Sequence, residues 1–133
     1  MSEENVESFK RGVEAGNRRD IEAFLAELDP EVEWHAALPM VGGDAVYRGH
    51  EGIREWLEDV GDVLAETEFE FPEIRDLGDR IVAVGRFRAR GKGSGVEVEM
   101  PVAYVIDVRG PKAIRVRTYL DPKDALEAAG LSE

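Results

Sequence analysis

Two histidines, three tyrosines and no cysteine leave this chain few side chains that could move a proton near neutral pH, and none that could act as a thiolate or form a disulfide. His35, in the run Val32-Glu33-Trp34-His35, is the foremost of them, because an imidazole titrating at about 6.5 suits general acid–base work. The run alternates, so if Val32 and Trp34 face a core, His35 faces away with Glu33. Only a twist or bulge near Ala36 would carry it to a cavity mouth. Tyr47 could offer its hydroxyl at the rim of such a cavity. His50 stands where a helix begins, and a boundary role suffices for it. Two separated histidines and scattered acids make no convergent ligand set, so neither a metal nor a cofactor is expected.

A second group of candidates would hold a ligand rather than react with it. Trp34 and Trp56 could line an aromatic cavity for a flat apolar molecule, a role compatible with ordinary core packing. Tyr104 and Thr118 fall side by side on the apolar face of a sheet, where two hydroxyls need partners: each other, the backbone, trapped water or a ligand. Phe87 and Met100 lie on that same face. Asp121 precedes Pro122 and reads as a helix cap, and the glycines of Gly91-Lys92-Gly93-Ser94-Gly95 read as hairpin glycines, without the following helix of a phosphate loop.

The element that must position these residues is the stretch 80–121. Its apolar residues recur at every second position with arginines and glutamates between them, the period of a sheet with two unlike faces. Pairing Phe87 with Met100 and Ala89 with Val98 sets Arg88 against Glu99 and Arg90 against Glu97, whereas a one-residue slip would oppose arginines to valines. The second turn, Arg109 to Ala113 around Gly110-Pro111, pairs Ile106 with Val116, Tyr104 with Thr118 and Asp107 with Arg115. The charged face also holds an apolar island of Val82, Val84, Ala103, Val105 and Tyr119.

Ahead of this meander the periodicity predicts a helix from Ser2 to about Gly16-Asn17, then a second capped by Asp20 and ended by Asp29-Pro30. A strand over Val32–Ala36 follows, and then a loop from Ala37 to Gly49 containing Pro39 and Gly42-Gly43. Next come a helix from about His50 to Leu64 and a strand from Thr67 to Leu77 whose Pro72 makes it an edge or bulged strand. Asp121-Pro122 opens a short last helix ending at Gly130.

The chain has 133 residues, 43% of them hydrophobic, enough for one domain with one core over residues 1–133. Its net charge of −12, from 17 basic and 29 acidic residues, opposes nucleic acid and anionic membrane surfaces, which need a concentrated basic face. The opening MSEENVES is acidic and polar, unlike a secretory leader, and no apolar run is long enough to span a bilayer. A cytoplasmic protein is the expectation.

Four stretches resemble a known family: AGNRRDIEAFLAELDPEVEWHA, YRGHEGIREWLEDV, DLGDRIVAVGRFRARGKGSGVEVE and VRTYLDPKDALEAAGL. Together they cover almost the whole chain and resemble the nuclear transport factor 2-like superfamily, in particular its SnoaL-like branch of polyketide cyclase and ketosteroid isomerase relatives. The resemblance implies an α+β fold: a cone-shaped, curved, mixed β-sheet half-barrel covered by three helices from the N-terminal half, with a short C-terminal helix. It also implies an apolar cavity between sheet and helices, and a homodimer through the outer sheet face, where the apolar island would fit.

The catalytic sets of those relatives do not carry over. Trp34 stands where the isomerases place their base, and the inward face of the meander offers Tyr104 and Thr118 but no carboxylate. Two functions remain open. One is a cofactor-independent isomerase, cyclase or hydrolase acting on an apolar cyclic molecule, with His35 or Tyr47 as the acid–base group and Trp34, Trp56, Phe87, Met100, Tyr104 and Thr118 around the ligand. The other is a non-catalytic ligand-binding or dimerisation module.

Overall fold

The computed structural model describes residues 2–37 and 46–131. Helices α1 (Ser2–Arg18) and α2 (Ile21–Ala26) are followed by strands β1 (Leu28–His35) and β2 (Val46–Arg48), then helix α3 (Gly49–Val63). Strands β3 (Leu64–Asp76), β4 (Arg80–Gly91), β5 (Glu97–Arg109) and β6 (Lys112–Tyr119) come next, and helix α4 (Pro122–Ala128) closes the order. The six strands form one open, curved sheet in the order β2-β1-β6-β5-β4-β3. All neighbours are antiparallel except β1 and β6, which are parallel. The fold is α+β and the sheet is mixed, as expected.

The meander forms in the expected register. Phe87 opposes Met100, Arg88 opposes Glu99 and Arg90 opposes Glu97, while Tyr104 opposes Thr118 and Asp107 opposes Arg115. Hydrophobic alternation and the cost of setting arginine opposite valine select this register over its neighbours. The second turn is tighter than expected. Arg109 already pairs with Lys112, and a register shift between Asp107 and Val108 absorbs the difference.

Strand boundaries also differ, β3 beginning at Leu64 rather than Thr67. β1 begins at Leu28 and takes in Asp29-Pro30, which the sequence suggests as a helix stop; Pro30 sits within the register irregularity between Leu28 and Glu33, where a missing N–H is tolerated. β2, three residues long and too short to show a period, falls inside the expected loop and pairs Tyr47 with Trp34. The Pro39 and Gly42-Gly43 part of that loop lies outside the described residues. Pro72 lies at a shift between Glu70 and Glu73 in β3, the edge strand.

Helices α1, α2 and α3 cover one face of the sheet over a core built from Val32, Trp34, Ile53, Trp56, Phe87, Tyr104 and their neighbours. The Asp20 carboxylate caps α2 by accepting the Ala23 N–H at 3.2 Å. α4 packs on the opposite face. Its Ala125 and Leu126 join Val82, Val84, Ala103, Val105 and Tyr119 in a second cluster, in which Val82, Ala103 and Val105 are wholly buried. The apolar island is therefore covered within the chain by its own last helix, which Asp121 caps through the Lys123 N–H at 3.0 Å.

Candidate functional site

Between α1–α3 and the sheet lies a cavity of about 110 Å³. Phe9 and Val13 of α1, Phe24 of α2, and Trp56, Leu57 and Val60 of α3 form its roof. Trp34 of β1, Phe69 and Phe71 of β3, Tyr104 and Ile106 of β5 and Val116 of β6 form its floor. The aromatic rings touch in a continuous chain. Trp34 and Trp56 lie 4.6 Å apart between centroids, Trp34 meets Tyr104 edge-on at 5.5 Å, Tyr104 meets Phe71 at 5.1 Å, and Phe71 meets Phe9 at 5.3 Å. Such contacts add to the area each ring buries and hold the wall in one shape.

The polar groups of this wall fall into two classes. Those brought by α1 and α2 are satisfied within the protein. Asn5 donates to the Gly78 carbonyl at 3.0 Å, and Ser8 Oγ donates to Glu27 Oε1 at 2.7 Å. Asn17 clamps β3 with both ends of its amide, donating to the Phe69 carbonyl and accepting the Phe69 N–H, each at 2.9 Å.

Glu27 also accepts from the Arg11 guanidinium at 3.0 Å. Burial pushes its carboxyl upward, but the hydrogen bonds from Arg11 and Ser8, with the charges of Arg11 and Lys112, outweigh that and hold it below the ordinary glutamate range. Glu27 is thus an ionised carboxylate lining the cavity.

The second class has no hydrogen-bond partner among the described residues. The Nε1–H groups of Trp34 and Trp56 are buried without an acceptor among the described residues. The Tyr104 hydroxyl likewise makes no hydrogen bond among them, and burial alone pushes its phenol up, so it stays protonated.

Of the residues singled out in the sequence, Trp34, Trp56 and Tyr104 meet at this cavity. Phe87 is fully buried in the core behind Phe69, and Met100 packs against that core; neither is among the cavity-lining residues. Thr118 is Tyr104's register neighbour but does not line the cavity.

His35 lies on the outer face with Glu33, as simple alternation requires, and its Nε2–H donates to Glu33 Oε1 at 2.9 Å. Glu33 also accepts from Arg48 at 2.6 Å, and the His35 and Arg48 hydrogen bonds hold its carboxyl low. The Tyr47 ring is buried, but its hydroxyl donates to Asp59 Oδ2 at 2.8 Å, away from the residues that line the cavity. His50 Nε2–H donates to the Leu28 carbonyl at 2.9 Å, a boundary role. Among the described residues no three acids or histidines gather in a way that could hold a metal, and no helix is long and apolar enough to cross a membrane.

Ser8, Asn17 and Glu27 are absent from the sequence expectations. The signal for Glu27 was its spacing, one turn beyond Phe24 on a helix whose apolar face was otherwise plain. For Ser8 it was the four-residue step Ser8–Gly12–Gly16, a flat stripe on α1. Gly12 lies against Glu27 and Gly16 against Phe24, at distances a Cβ would meet as ordinary contact.

The SnoaL-like domain family matches residues 9–116. This chain belongs to that family. Among solved structures, TerC co-crystallized with polyporic acid is 28% identical, with a TM-score of 0.81 over 93% of this chain and 96% of its own. A nuclear transport factor 2-like protein from Burkholderia xenovorans is also 28% identical, at a TM-score of 0.72 over 97% of both chains. A Catenulispora acidiphila protein with a ketosteroid isomerase-like fold is 17% identical, at a TM-score of 0.74 over 94% and 93%, a likeness of fold alone. No functionally curated protein matches. The SnoaL-like fold expected from the sequence is thus the fold of this chain.

Proposed function

We propose that this SnoaL-like protein binds a small, mostly apolar ring compound in the cavity between α1–α3 and the sheet, and that the Tyr104 hydroxyl fixes the ligand's orientation. The observation that carries the reading is a cavity of about 110 Å³ walled by contacting aromatic rings. An apolar cavity of about 150 Å³ accepts benzene, so this one suits a single ring, and a fused polycycle would need α1 or α3 to shift. The likeness to TerC, co-crystallized with polyporic acid, supports a small-molecule role for the same fold.

A second reading, proton transfer of the isomerase or cyclase kind, is favoured by one observation: Glu27 lines the cavity as an ionised carboxylate, and a carboxylate can act as a general base. His35 and Tyr47 are engaged elsewhere, with Glu33 and Asp59, so Glu27 is the group this reading requires.

The test is methyl NMR on the unmodified protein, titrated with single-ring ketones and aromatics. Binding in the cavity moves the methyl signals of Val60, Ile106 and Val116 and leaves Val82 and Val105, under α4, in place. Shifts confined to Val82 and Val105, or no shift with any ring compound, would overturn the proposal.

A further inference from the structure

The helices that roof the cavity are held to the molecule by different means. α3 is held by burial: Ile53, Trp56 and Val60 are 0%, 5% and 7% exposed. α1 lines the cavity from Asn5 to Asn17, yet its large apolar side chains, Val6, Phe9 and Val13, are only partly buried. Where it passes α2 it presents glycines, Gly12 to Glu27 and Gly16 to Phe24, so no side chain of α1 interlocks at those points. Polar bonds hold it instead, and they are distributed unequally. At the C-terminal end Asn17 exchanges two hydrogen bonds with the Phe69 backbone at 2.9 Å, and Arg19 donates to the Thr67 carbonyl at 3.4 Å. At the other end Asn5 makes a single bond, to the Gly78 carbonyl. Between the two, Ser8 and Arg11 reach Glu27.

We propose that α1 is a hinged wall. It turns about its C-terminal end, with Asn17 as pivot and Asn5, Ser8 and Arg11 as latch, and its opening admits ring compounds larger than the closed cavity holds. Arg19, which joins α1 to α2, sits at a φ of 62°, the left-handed region that is unfavourable for a residue with a side chain. Junctions between elements are where hinge motion is absorbed. At a rise of about 1.5 Å per residue the Asn5 latch stands about 18 Å from the pivot, so a turn of about 10° parts that end from the sheet by about 3 Å. Such a turn leaves the Asn17 bonds in place, breaks the single Asn5 bond, passes the Ser8 and Arg11 bonds to water and slides the glycine face past α2. Moving α3 instead would expose Ile53 and Trp56 to water. An element tied by few buried apolar side chains opens locally at lower cost than the core does, so α1 is the wall that moves.

The hinge's role rests on the proposed cavity binding, and the experiment separates the two. In native-state hydrogen exchange of the unmodified protein without ligand, the amides of residues 6–13 are expected to exchange by local opening, at a rate that low urea leaves unaltered. Those of residues 53–60 are expected to exchange only with global unfolding. Asn5→Ala, which removes one neutral hydrogen bond from the latch, is expected to speed exchange over residues 6–13 about fivefold. In methyl NMR titrations the same variant is expected to tighten naphthalene about fivefold relative to benzene, because only the two-ring compound holds the latch open. A residue that merely supported the fold would shift both compounds alike. Residues 6–13 exchanging as slowly as residues 53–60 would overturn the hinge while the cavity stands, as would benzene and naphthalene responding equally to Asn5→Ala. If neither compound binds, the cavity reading falls and the admitting role of α1 falls with it. The exchange measurement needs no variant, so a substitution that fails to fold does not shelter the proposal.

Discussion

The Ser8 hydroxyl donates to Glu27 Oε1 at 2.7 Å, tying the middle of α1 to the residue that closes α2. The other oxygen of Glu27 takes the Arg11 guanidinium at 3.0 Å, so the carboxylate reaches the cavity with hydrogen bonds from one helix already in place. These bonds keep it ionised despite its burial.

That arrangement fixes a pH dependence. Glu27 has a folded pKa below its unfolded value, so its contribution to stability is present above the unfolded carboxylate pKa of about 4.3 and is lost as pH falls through the folded pKa. Ser8→Ala removes a hydrogen bond to a charged group and is expected to cost about 1.5 kcal/mol at pH 7, with the penalty shrinking toward pH 3 in urea denaturation. A ¹³C titration of the Glu27 carboxyl should show its midpoint rising in both Ser8→Ala and Arg11→Ala. An unmoved midpoint would mean that neither bond forms in solution.

Tyr104 gives the opposite sign. Burial raises its pKa above the unfolded value of about 10, so between those two values the folded state holds a proton that the unfolded state has released. Stability is unaffected below about pH 10 and falls as pH rises beyond it. Absorbance near 295 nm should therefore show Tyr104 ionising only on unfolding. In Tyr104→Phe that late component shrinks by one tyrosine and the alkaline loss of stability becomes shallower; a late component of unchanged size in this variant would mean that Tyr104 is not the residue held protonated.

How much of this was legible in the sequence depended on the range of the signal. The β4–β5–β6 register could be read because period-two alternation and the Arg88–Glu99 and Arg90–Glu97 oppositions all choose one alignment. The outward turn of His35 followed from the same alternation. β2 could not be read, since three residues carry no period, and its pairing with β1 is decided by tertiary contact. The cavity was half legible. Trp34, Trp56 and Tyr104 announce themselves as large residues on apolar faces, whereas Ser8, Asn17 and Glu27 are polar residues on helices, a pattern that normally means solvent. Only the partner each finds, in another element, turns it inward. The apolar island was expected to be a homodimer surface, whereas α4 packs on it within the chain; that helix had too few residues to reveal which face it would take.

Gly85 in β4 tests the shape of the sheet edge. A Cβ placed there would run into the Glu70 carbonyl oxygen and crowd the backbone of Phe71, because β3 crosses closely at the register shift between Glu70 and Glu73. The neighbour is backbone and cannot step aside as a side chain could. Gly85→Ala should therefore cost about 3 kcal/mol, the upper part of the range for overpacking, seen as a lowered urea midpoint. Gly61→Ala is the control: nothing lies within contact of its Cβ, and as a glycine inside helix α3 it should gain up to about 1 kcal/mol on substitution. Equal stability in the two variants would place β3 farther from Gly85 than the structure has it.

The cover provided by α4 can be tested by removing it. Val82, Ala103 and Val105 have no exposed surface beneath Ala125 and its neighbours, and each buried valine side chain contributes roughly 2 kcal/mol when kept from water. Ending the chain after Asp121 strips that cover and leaves a contiguous apolar patch on the outer face, the kind of surface that seeks another. The shortened chain should be less stable and should associate more strongly than the full chain, which light scattering coupled to gel filtration would measure at matched concentrations. Ala125→Asp, which sets a charge against the same patch without shortening the chain, should move stability in the same direction. If the shortened chain matches the full one in both mass and denaturation midpoint, α4 does not shield the patch in solution, and the outer face is available to a second copy of the chain.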